Sequence, residues 1–368
     1  MRGPETTNRP PDRSHRTLAW RVAAVAAAIV MTASAGWLVA PGRPLQAEPS
    51  SLRVEDDEFV AFDASGVELW RYRLPYAVHE PGGDPRRTSL IEDLDGDGRR
   101  EVVTVASADS LETSEVICLE PDGALRWRRR ADRRARFGSD LVGGPWVAWH
   151  IAATDAPGSG PMLWAAWISR ASFASFVERI DVRTGAPSAV YWSAGRVTAM
   201  GAGEANGRQA VFIGAASSEH KAASLAVYAL DVSDGAAPTV EPAYACRDCP
   251  SGRPLAFFVF PRTNLSRAML RETGTTDVVQ VAQDQGGALM VAVRHNPPDP
   301  DGAVVFYRFD EGLRLKSVEP SPRYRALHAM LEQQGALSNP LSAEEERQMM
   351  HVLSWDGSKF VRAGSRSE

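Results

Sequence analysis

The sequence lacks the short motifs that mark the common catalytic sites. It contains no G-x-S-x-G, no P-loop, no H-E-x-x-H and no dinucleotide-binding glycine pattern. The seven histidines are far apart along the chain, and none has the spacing of a paired metal ligand. The sequence therefore offers no motif for these hydrolytic, nucleotide-dependent or zinc-dependent reactions.

Cysteine is also scarce, with three residues in 368. Cys246 and Cys249 form a C-x-x-C, but no second C-x-x-C or histidine pair lies nearby to complete a zinc site. The surrounding Pro and Gly do not suggest the helix start of a thioredoxin-like redox motif. We expect a local disulfide between these two cysteines and a buried, unreactive Cys118 on a strand.

Long stretches with helical periodicity are few. The 25 Pro and 30 Gly are spread along the chain, so turns separate many short elements. This distribution is typical of an all-β protein. The formal net charge of −5 gives no basis for nucleic-acid binding.

The N-terminal 40 residues carry a membrane signal. Residues 1–21 contain five arginines against two acids, and residues 22–40 are uncharged and apolar. An apolar run of this length spans the hydrocarbon core, and the arginines before it predict a cytoplasmic tail with an exported body. The run is either a retained single-pass anchor or a signal peptide cleaved after Ala33-Ser34-Ala35. Residues 41–52 form a Pro- and Ser-rich linker.

The exported body contains a repeated hairpin. Phe59–Leu74 and Val116–Arg130 each show an alternating strand, a turn that ends in Gly, and a second strand with Trp70 or Trp127 four residues after that Gly. We expect each Trp to pack on the neighbouring sheet. Weaker copies occur at Val177–Trp192, Ala226–Val240, Val304–Val318 and His351–Arg362.

These hairpins alternate with further strand pairs, so the repeating unit is a four-stranded sheet. Radial stacking of such sheets buries both of their faces. We therefore predict a β-propeller of about five to seven blades over residues 53–363, the first and last incomplete; a pair of stacked sheets is the alternative. Residues 321–350 have a helical pattern and are expected to be an insertion before the last blade.

The most specific motif is an acidic loop, DLDGDGRRE, in which Asp93, Asp95 and Asp97 alternate and Glu101 opens the next strand. Four carboxylates so close together repel one another unless a cation neutralises them, and flexible oxygen-rich loops of this kind favour Ca²⁺. The loop is not an EF-hand, since Thr104 occupies the position of the bidentate Glu.

The segment DLDGDGRREVV resembles the FG-GAP/VCBS repeat of integrin-α-like β-propellers, and the Gly–Trp hairpins also resemble blades of PQQ-like propellers. The resemblance is strong over this loop and loose over the rest of the body. It implies one structural Ca²⁺ bound by Asp93, Asp95, Asp97 and Glu101, with the backbone carbonyl of Arg99 as a further ligand. The loops at the corresponding positions of other blades keep too few acids to form an array of sites.

The segment Arg126–Arg136 holds seven arginines in eleven residues. It is either a patch for an anionic surface or an edge strand whose charge discourages pairing with other chains.

Together these features predict a non-enzymatic, membrane-tethered, extracytoplasmic propeller that binds structural calcium and presents a surface to a protein or polysaccharide partner. The alternatives are a propeller enzyme, quinoprotein-like or glycan-active, and an assembly scaffold of the envelope.

Overall fold

The computed structural model describes residues 47–363, apart from 79–87, 109–113, 157–159, 233, 251, 271–273, 297–301 and 338–340. Residues 48–368 form one compact unit. The predicted tail, membrane segment 22–40 and most of the linker lie outside the described residues. None of the helices in the described part of the chain is long and apolar enough to span a bilayer.

The body is built from antiparallel sheets that follow one another along the chain, which confirms the all-β prediction. Sheet I contains β1 (Ser51–Glu55), β2 (Glu58–Phe62) and β3 (Glu68–Arg73). Sheet II contains β4 (Ser89–Glu92), β5 (Glu101–Ser107), β6 (Ser114–Leu119) and β7 (Leu125–Arg129). A two-stranded sheet of β8 (Ala135–Phe137) and β9 (Asp140–Val142) follows.

Sheets III and IV are larger. Sheet III contains β10 (Trp146–Ala156), β11 (Gly160–Ser169), β12 (Ser175–Ile180), β13 (Pro187–Ser193) and β17 (Asp234–Ala236). Sheet IV contains β14 (Gly195–Ala205), β15 (Arg208–Ser217), β16 (Ala222–Ala229), β18 (Ala256–Val259), β23 (Leu353–Trp355) and β24 (Phe360–Arg362). Sheet V contains β19 (Asp277–Gln283), β20 (Leu289–Arg294), β21 (Val304–Phe309) and β22 (Leu315–Pro320).

Sheets II and V have the predicted four-stranded form, in which each strand pairs with the next along the chain. The alternation of side chains in β21 shows why the sequence folds in this way. Val305, Tyr307 and Phe309 are buried on one face, whereas Arg308 on the other face is exposed. The four-stranded unit of the predicted propeller is therefore present in the structure.

Two of the predicted hairpins pair differently. In the copy at Ala226–Val240, β17 leaves β16 and pairs in parallel with β13 of sheet III. The copy at His351–Arg362 is a hairpin, but β23 pairs with β18 and extends sheet IV instead of forming a last blade. The hairpin predicted at Ala226–Val240 was therefore wrong about its partner strand. The hairpin predicted at His351–Arg362 is confirmed, and only its place in a separate last blade was wrong, because the local pattern specifies a strand but not its neighbouring sheet.

The tryptophans of the first two hairpins do pack on the neighbouring sheet. Trp70 of sheet I lies against Gly123 in the turn of sheet II, and its indole N–H donates to the Pro121 carbonyl at 2.9 Å. Trp127 of sheet II lies in the same way against Gly185 in the turn of sheet III. Each tryptophan therefore couples one sheet to the next, as the sequence predicted.

The core lies between consecutive sheets. Separate clusters of buried side chains join sheets I and II, sheets II and III, sheets III and IV, and sheets IV and V. The first strands of sheets III, IV and V contribute to this packing, since β14 of sheet IV contacts β10 of sheet III and β19 of sheet V contacts β14. Each sheet thus buries its apolar face against its neighbour along the chain.

Residues 321–350 are partly helical, as their pattern predicts. The short helix α1 (Asn264–Leu270) precedes sheet V, while α2 (Pro322–Gln333) and α3 (Ala343–Met349) connect sheet V to β23. His328 of α2 is fully buried, with one ring nitrogen 2.6 Å from Glu332 and the other 3.1 Å from Glu345 of α3. These contacts join the two helices.

Candidate functional site

The acidic loop connects β4 to β5 and is shaped by its first aspartate. The two oxygens of Asp93 accept hydrogen bonds from the backbone N–H groups of Gly96, at 2.8 Å, and Gly98, at 3.0 Å. Both glycines have positive φ, of 80° and 85°, which other residues rarely adopt. The sequence D-x-x-G-x-G therefore folds the loop around the Asp93 carboxylate.

Glu101 anchors the other end of the loop at the start of β5. Its side chain is fully buried, and Oε2 accepts a hydrogen bond from Leu94 N–H at 2.8 Å. Burial raises the pKa of this carboxyl, while the Leu94 hydrogen bond and the charge of Arg126 act in the opposite direction. Glu101 is thus a buried carboxylate that needs positive charge nearby.

The structure brings three of the five predicted metal ligands together. Asp93, Asp95 and Glu101 each offer an oxygen, and these oxygens lie within 4.8 Å of one another. Asp97 is outside this group, and its Oδ1 accepts a hydrogen bond from the backbone N–H of Arg99 at 2.8 Å. The donor set suits a hard cation such as Ca²⁺, but with fewer protein ligands than the resemblance implies.

Arg126 is the member of this site that the sequence did not reveal. Its guanidinium reaches from β7 to within 3.0 Å of Asp95 Oδ2 and 3.0 Å of Glu101 Oε1, and it also bonds Glu120 at 2.6 Å. Glu120 first, and then Glu101, raise the pKa of Arg126, and only 12% of its side chain is exposed. An arginine of the chain itself therefore supplies positive charge where a metal ion is predicted.

The rest of the arginine-rich segment is also bound to carboxylates inside the protein. Arg129 and Arg133 contact the fully buried Glu178 of sheet III at 2.8 and 2.6 Å. Arg130 contacts the fully buried Glu115 at 3.1 Å. Much of the charge in residues 126–136 therefore couples sheet II to buried acids, which leaves less of it to attract an anionic surface.

A groove of about 820 Å³ adjoins the acidic loop. Leu94 and Asp95 form one wall, and the remaining walls come from the start of β11, from the end of β12 with the turn after it, and from sheet IV at Arg208–Gln209 and Leu230–Asp231. Loops of three successive sheets thus meet around one open cavity. The sequence does not predict this cavity, since its lining residues come from separate parts of the chain.

The groove contains both signs of charge. Arg208 pairs with Asp231, with Nη2 2.6 Å from Oδ2. Asp181 accepts a hydrogen bond from the Thr184 hydroxyl at 2.7 Å, and this bond lowers the pKa of the Asp181 carboxyl. Arg179 donates to Ser188 Oγ at 2.9 Å and to the Leu230 carbonyl at 3.0 Å.

The cysteines behave as predicted. Cys246 and Cys249 form a disulfide, and Cys118 is a free, fully buried thiol. Burial raises the pKa of Cys118 to about 12, so this thiol is inert at neutral pH. The disulfide-bonded segment lies beside β8, where Gly138 N–H donates to the Ala245 carbonyl at 3.0 Å.

Comparison with known families and curated proteins finds no match. Among solved structures, BamB from Moraxella catarrhalis is 15% identical, with a TM-score of 0.38 over 73% of this chain and 63% of that one. The Dos1 propeller is 10% identical, with a TM-score of 0.37 over 72% and 63%. A GH43 β-1,3-galactosidase solved with galactodeoxynojirimycin is 10% identical, with a TM-score of 0.34 over 73% and 87%.

The chain spans less than two thirds of the BamB and Dos1 propeller chains. With TM-scores below 0.5, these likenesses support no inference about function. The FG-GAP/VCBS resemblance likewise stays a resemblance carried by the acidic loop, and the functional argument rests on the geometry of the site.

Proposed function

We propose that this chain is an exported, non-enzymatic binding protein of the propeller type. Its recognition surface is the groove beside the acidic loop, and its partner is a protein or a glycan. The observation that carries the proposal is the groove itself. It is formed by loops of three consecutive sheets, and its volume of about 820 Å³ falls in the range of ligand-binding cavities.

The propeller arrangement is supported by how the sheets pack. β10 of sheet III contacts β4 and β5 of sheet II, β14 contacts β10, and β19 contacts β14. In a β-propeller the first strand of each blade lies nearest the axis and the later strands lie further out. Contacts between the first strands of successive sheets therefore indicate this arrangement. Sheet I has three strands and is the incomplete first blade.

The groove lacks the acid expected of a glycan-cleaving enzyme, because Glu101, whose pKa burial raises, is itself fully buried and does not line the groove. Such an enzyme needs a carboxylic acid with a raised pKa beside a second carboxylate. The pKa of Asp181 is lowered, Asp95 is paired with Arg126, and Asp231 is paired with Arg208. The lowered pKa suits Asp181 to hydrogen-bond acceptance and not to proton donation, while Asp95 and Asp231 are each occupied by an arginine.

The proposal includes one Ca²⁺ ion bound at the acidic loop. Asp93, Asp95 and Glu101 are the residues that would hold the ion, and Asp95 also faces the groove. Arg126 competes with the ion for two of these carboxylates, so we expect weak binding. The bound ion would fix the groove wall.

Export and membrane attachment through residues 22–40 also remain part of the proposal. The Cys246–Cys249 disulfide supports export, because disulfides persist in oxidising compartments outside the cytoplasm. The body would then face the periplasm or the extracellular space, and the protein would be secreted if the signal were cleaved.

A photo-crosslinking experiment in cells tests the proposal. A photo-reactive amino acid placed at Gln209, in the groove, should form adducts with an envelope component upon irradiation. The same amino acid at Arg73, which is 74% exposed on sheet I, serves as the control. Adducts from Gln209 alone support the groove as the recognition surface, whereas equal adducts or none from Gln209 would contradict it.

A further inference from the structure

Two arginines of the groove form no ion pair with a carboxylate of the described residues, although the charge of Arg183 helps to lower the pKa of Asp181. No carboxylate oxygen in that part of the chain lies within 4.0 Å of the guanidinium of Arg179 or Arg183. By contrast, Arg126, Arg129 and Arg208 all have carboxylate partners. In a protein with a net charge of −5, two unpaired arginines beside one cavity point to an anionic ligand.

Both arginines are held on rigid supports. Arg183 lies in the β12–β13 turn, whose Gly185 packs against Trp127, and the Trp127 indole N–H donates to the Val182 carbonyl at 2.9 Å. Arg179, on β12, is fixed by its bonds to Ser188 and Leu230. Because these supports already restrict the turn and the Arg179 side chain, little conformational entropy is lost when a ligand binds.

The other residues that line the groove indicate which class of anion it binds. Asp181 and Asp231 offer side-chain oxygens that accept hydrogen bonds, and Pro161, Met162 and Val182 offer apolar surface. Closely spaced phosphate or sulfate groups would be repelled by the two aspartates. A sugar acid instead has hydroxyls for the aspartates, a ring for the apolar surface, and one carboxylate per residue for an arginine.

We propose that the groove binds an acidic oligosaccharide, with uronate carboxylates on Arg179 and Arg183. This inference rests on the proposed function and specifies the chemical class of its ligand. Arg183 can form paired hydrogen bonds with a carboxylate, which add both affinity and orientation. Arg179 already donates from Nε and Nη1, so its Nη2 would bond the ligand.

Isothermal titration of the purified full-length chain in detergent with hexagalacturonate tests the proposal. We expect binding that weakens as salt concentration rises, and loss of about tenfold in affinity for either Arg179→Gln or Arg183→Gln. Arg73→Gln is the matched control, since it removes an exposed arginine far along the chain from the groove and should leave affinity unchanged. Circular dichroism shows whether each variant is folded.

Titration with two further ligands shows whether binding depends on the uronate carboxylates, on the sugar chain alone or on any anion. A neutral hexasaccharide should bind at least about tenfold more weakly than hexagalacturonate, because it lacks the carboxylates. Inorganic phosphate should not compete at concentrations equal to those of the oligosaccharide. The proposal is overturned if hexagalacturonate does not bind, if phosphate competes equally, or if the two groove variants bind as well as Arg73→Gln does.

These outcomes are distinct from failure of the proposed function. A groove that crosslinks to an envelope protein but does not bind hexagalacturonate would retain its recognition role and would lose the assignment to acidic sugars. A groove that forms no crosslink and binds no oligosaccharide would lose both.

Discussion

The guanidinium of Arg126 lies 3.0 Å from the carboxylate of Glu101, although 25 residues separate them in the sequence. The pairing of β5 with β6, and of β6 with β7, brings the two side chains to the same end of sheet II. Arg126 also contacts Asp95, so one cation connects the acidic loop to the edge strand of the sheet. This contact ties the conformation of the loop to the stability of the sheet.

Removal of this cation should destabilise the protein. Arg126→Gln leaves the fully buried Glu101 without its counter-ion, and loss of one partner from a buried pair costs about 3 kcal/mol. Urea unfolding of the variant should show a lower midpoint than that of the unmodified chain. Arg100→Gln is the control, since Arg100 is half exposed and lies 3.8 Å from Glu48. Equal midpoints for the two variants would contradict a structural role for Arg126.

The docking of tryptophans on turn glycines gives a second prediction. Gly66, Gly123 and Gly185 occupy equivalent turns and all have positive φ, so Ala at any of them costs about 1 kcal/mol. A Cβ at Gly123 or Gly185 would also lie 2.8 Å from the ring of Trp70 or Trp127. Such overpacking adds about 1–3 kcal/mol.

Gly66 provides the internal control, because a Cβ there meets no atom within 4 Å. Gly123→Ala and Gly185→Ala should therefore lower the free energy of unfolding more than Gly66→Ala does. If all three variants lose the same amount, the tryptophan contacts do not couple the sheets.

Acid should weaken the sheet V region through His295. This residue is fully buried, its Nδ1 lies 3.3 Å from the Thr263 hydroxyl, and burial lowers its pKa to about 3 from an ordinary value of 6.5. Between these two pH values the unfolded chain takes up a proton that the folded chain does not. The contribution of neutral His295 to the free energy of unfolding is therefore complete above pH 6.5, and it is lost as the pH falls towards 3.

The test is urea unfolding measured from pH 7 to pH 4. His295→Phe should reduce the dependence of the free energy of unfolding on pH, by up to about 1.4 kcal/mol per pH unit. Some dependence should remain, because burial also lowers the pKa of His220. An unchanged slope in the variant would show that His295 is not the group responsible.

The sequence was most informative where structure is local. Alternating strands and a turn glycine predict the hairpins β2–β3, β6–β7, β12–β13 and β21–β22, and the structure contains all four. The pair β10–β11 was missed, because Leu163–Ser169 is buried along its whole length and shows no alternation.

The candidate site is harder to predict, because strand pairing brings together residues that are far apart in the sequence. The acidic loop was visible as a motif, and Asp93, Asp95 and Glu101 converge there. Arg126 was seen only as part of a basic run, since its approach to Glu101 requires the register of three strands. The groove could not be predicted at all, because its walls come from three sheets.

The most direct test of the account is thermal unfolding of the full-length chain in excess EDTA and in about 1 mM Ca²⁺, a level suited to weak extracellular sites. The same comparison is made for Asp95→Asn and Asp97→Asn. We predict that Ca²⁺ raises the melting temperature of the unmodified chain and of Asp97→Asn, because Asp97 lies outside the group of converging oxygens, and that Asp95→Asn loses this rise. No response in the unmodified chain, or equal loss in both variants, would contradict a calcium site built from Asp93, Asp95 and Glu101.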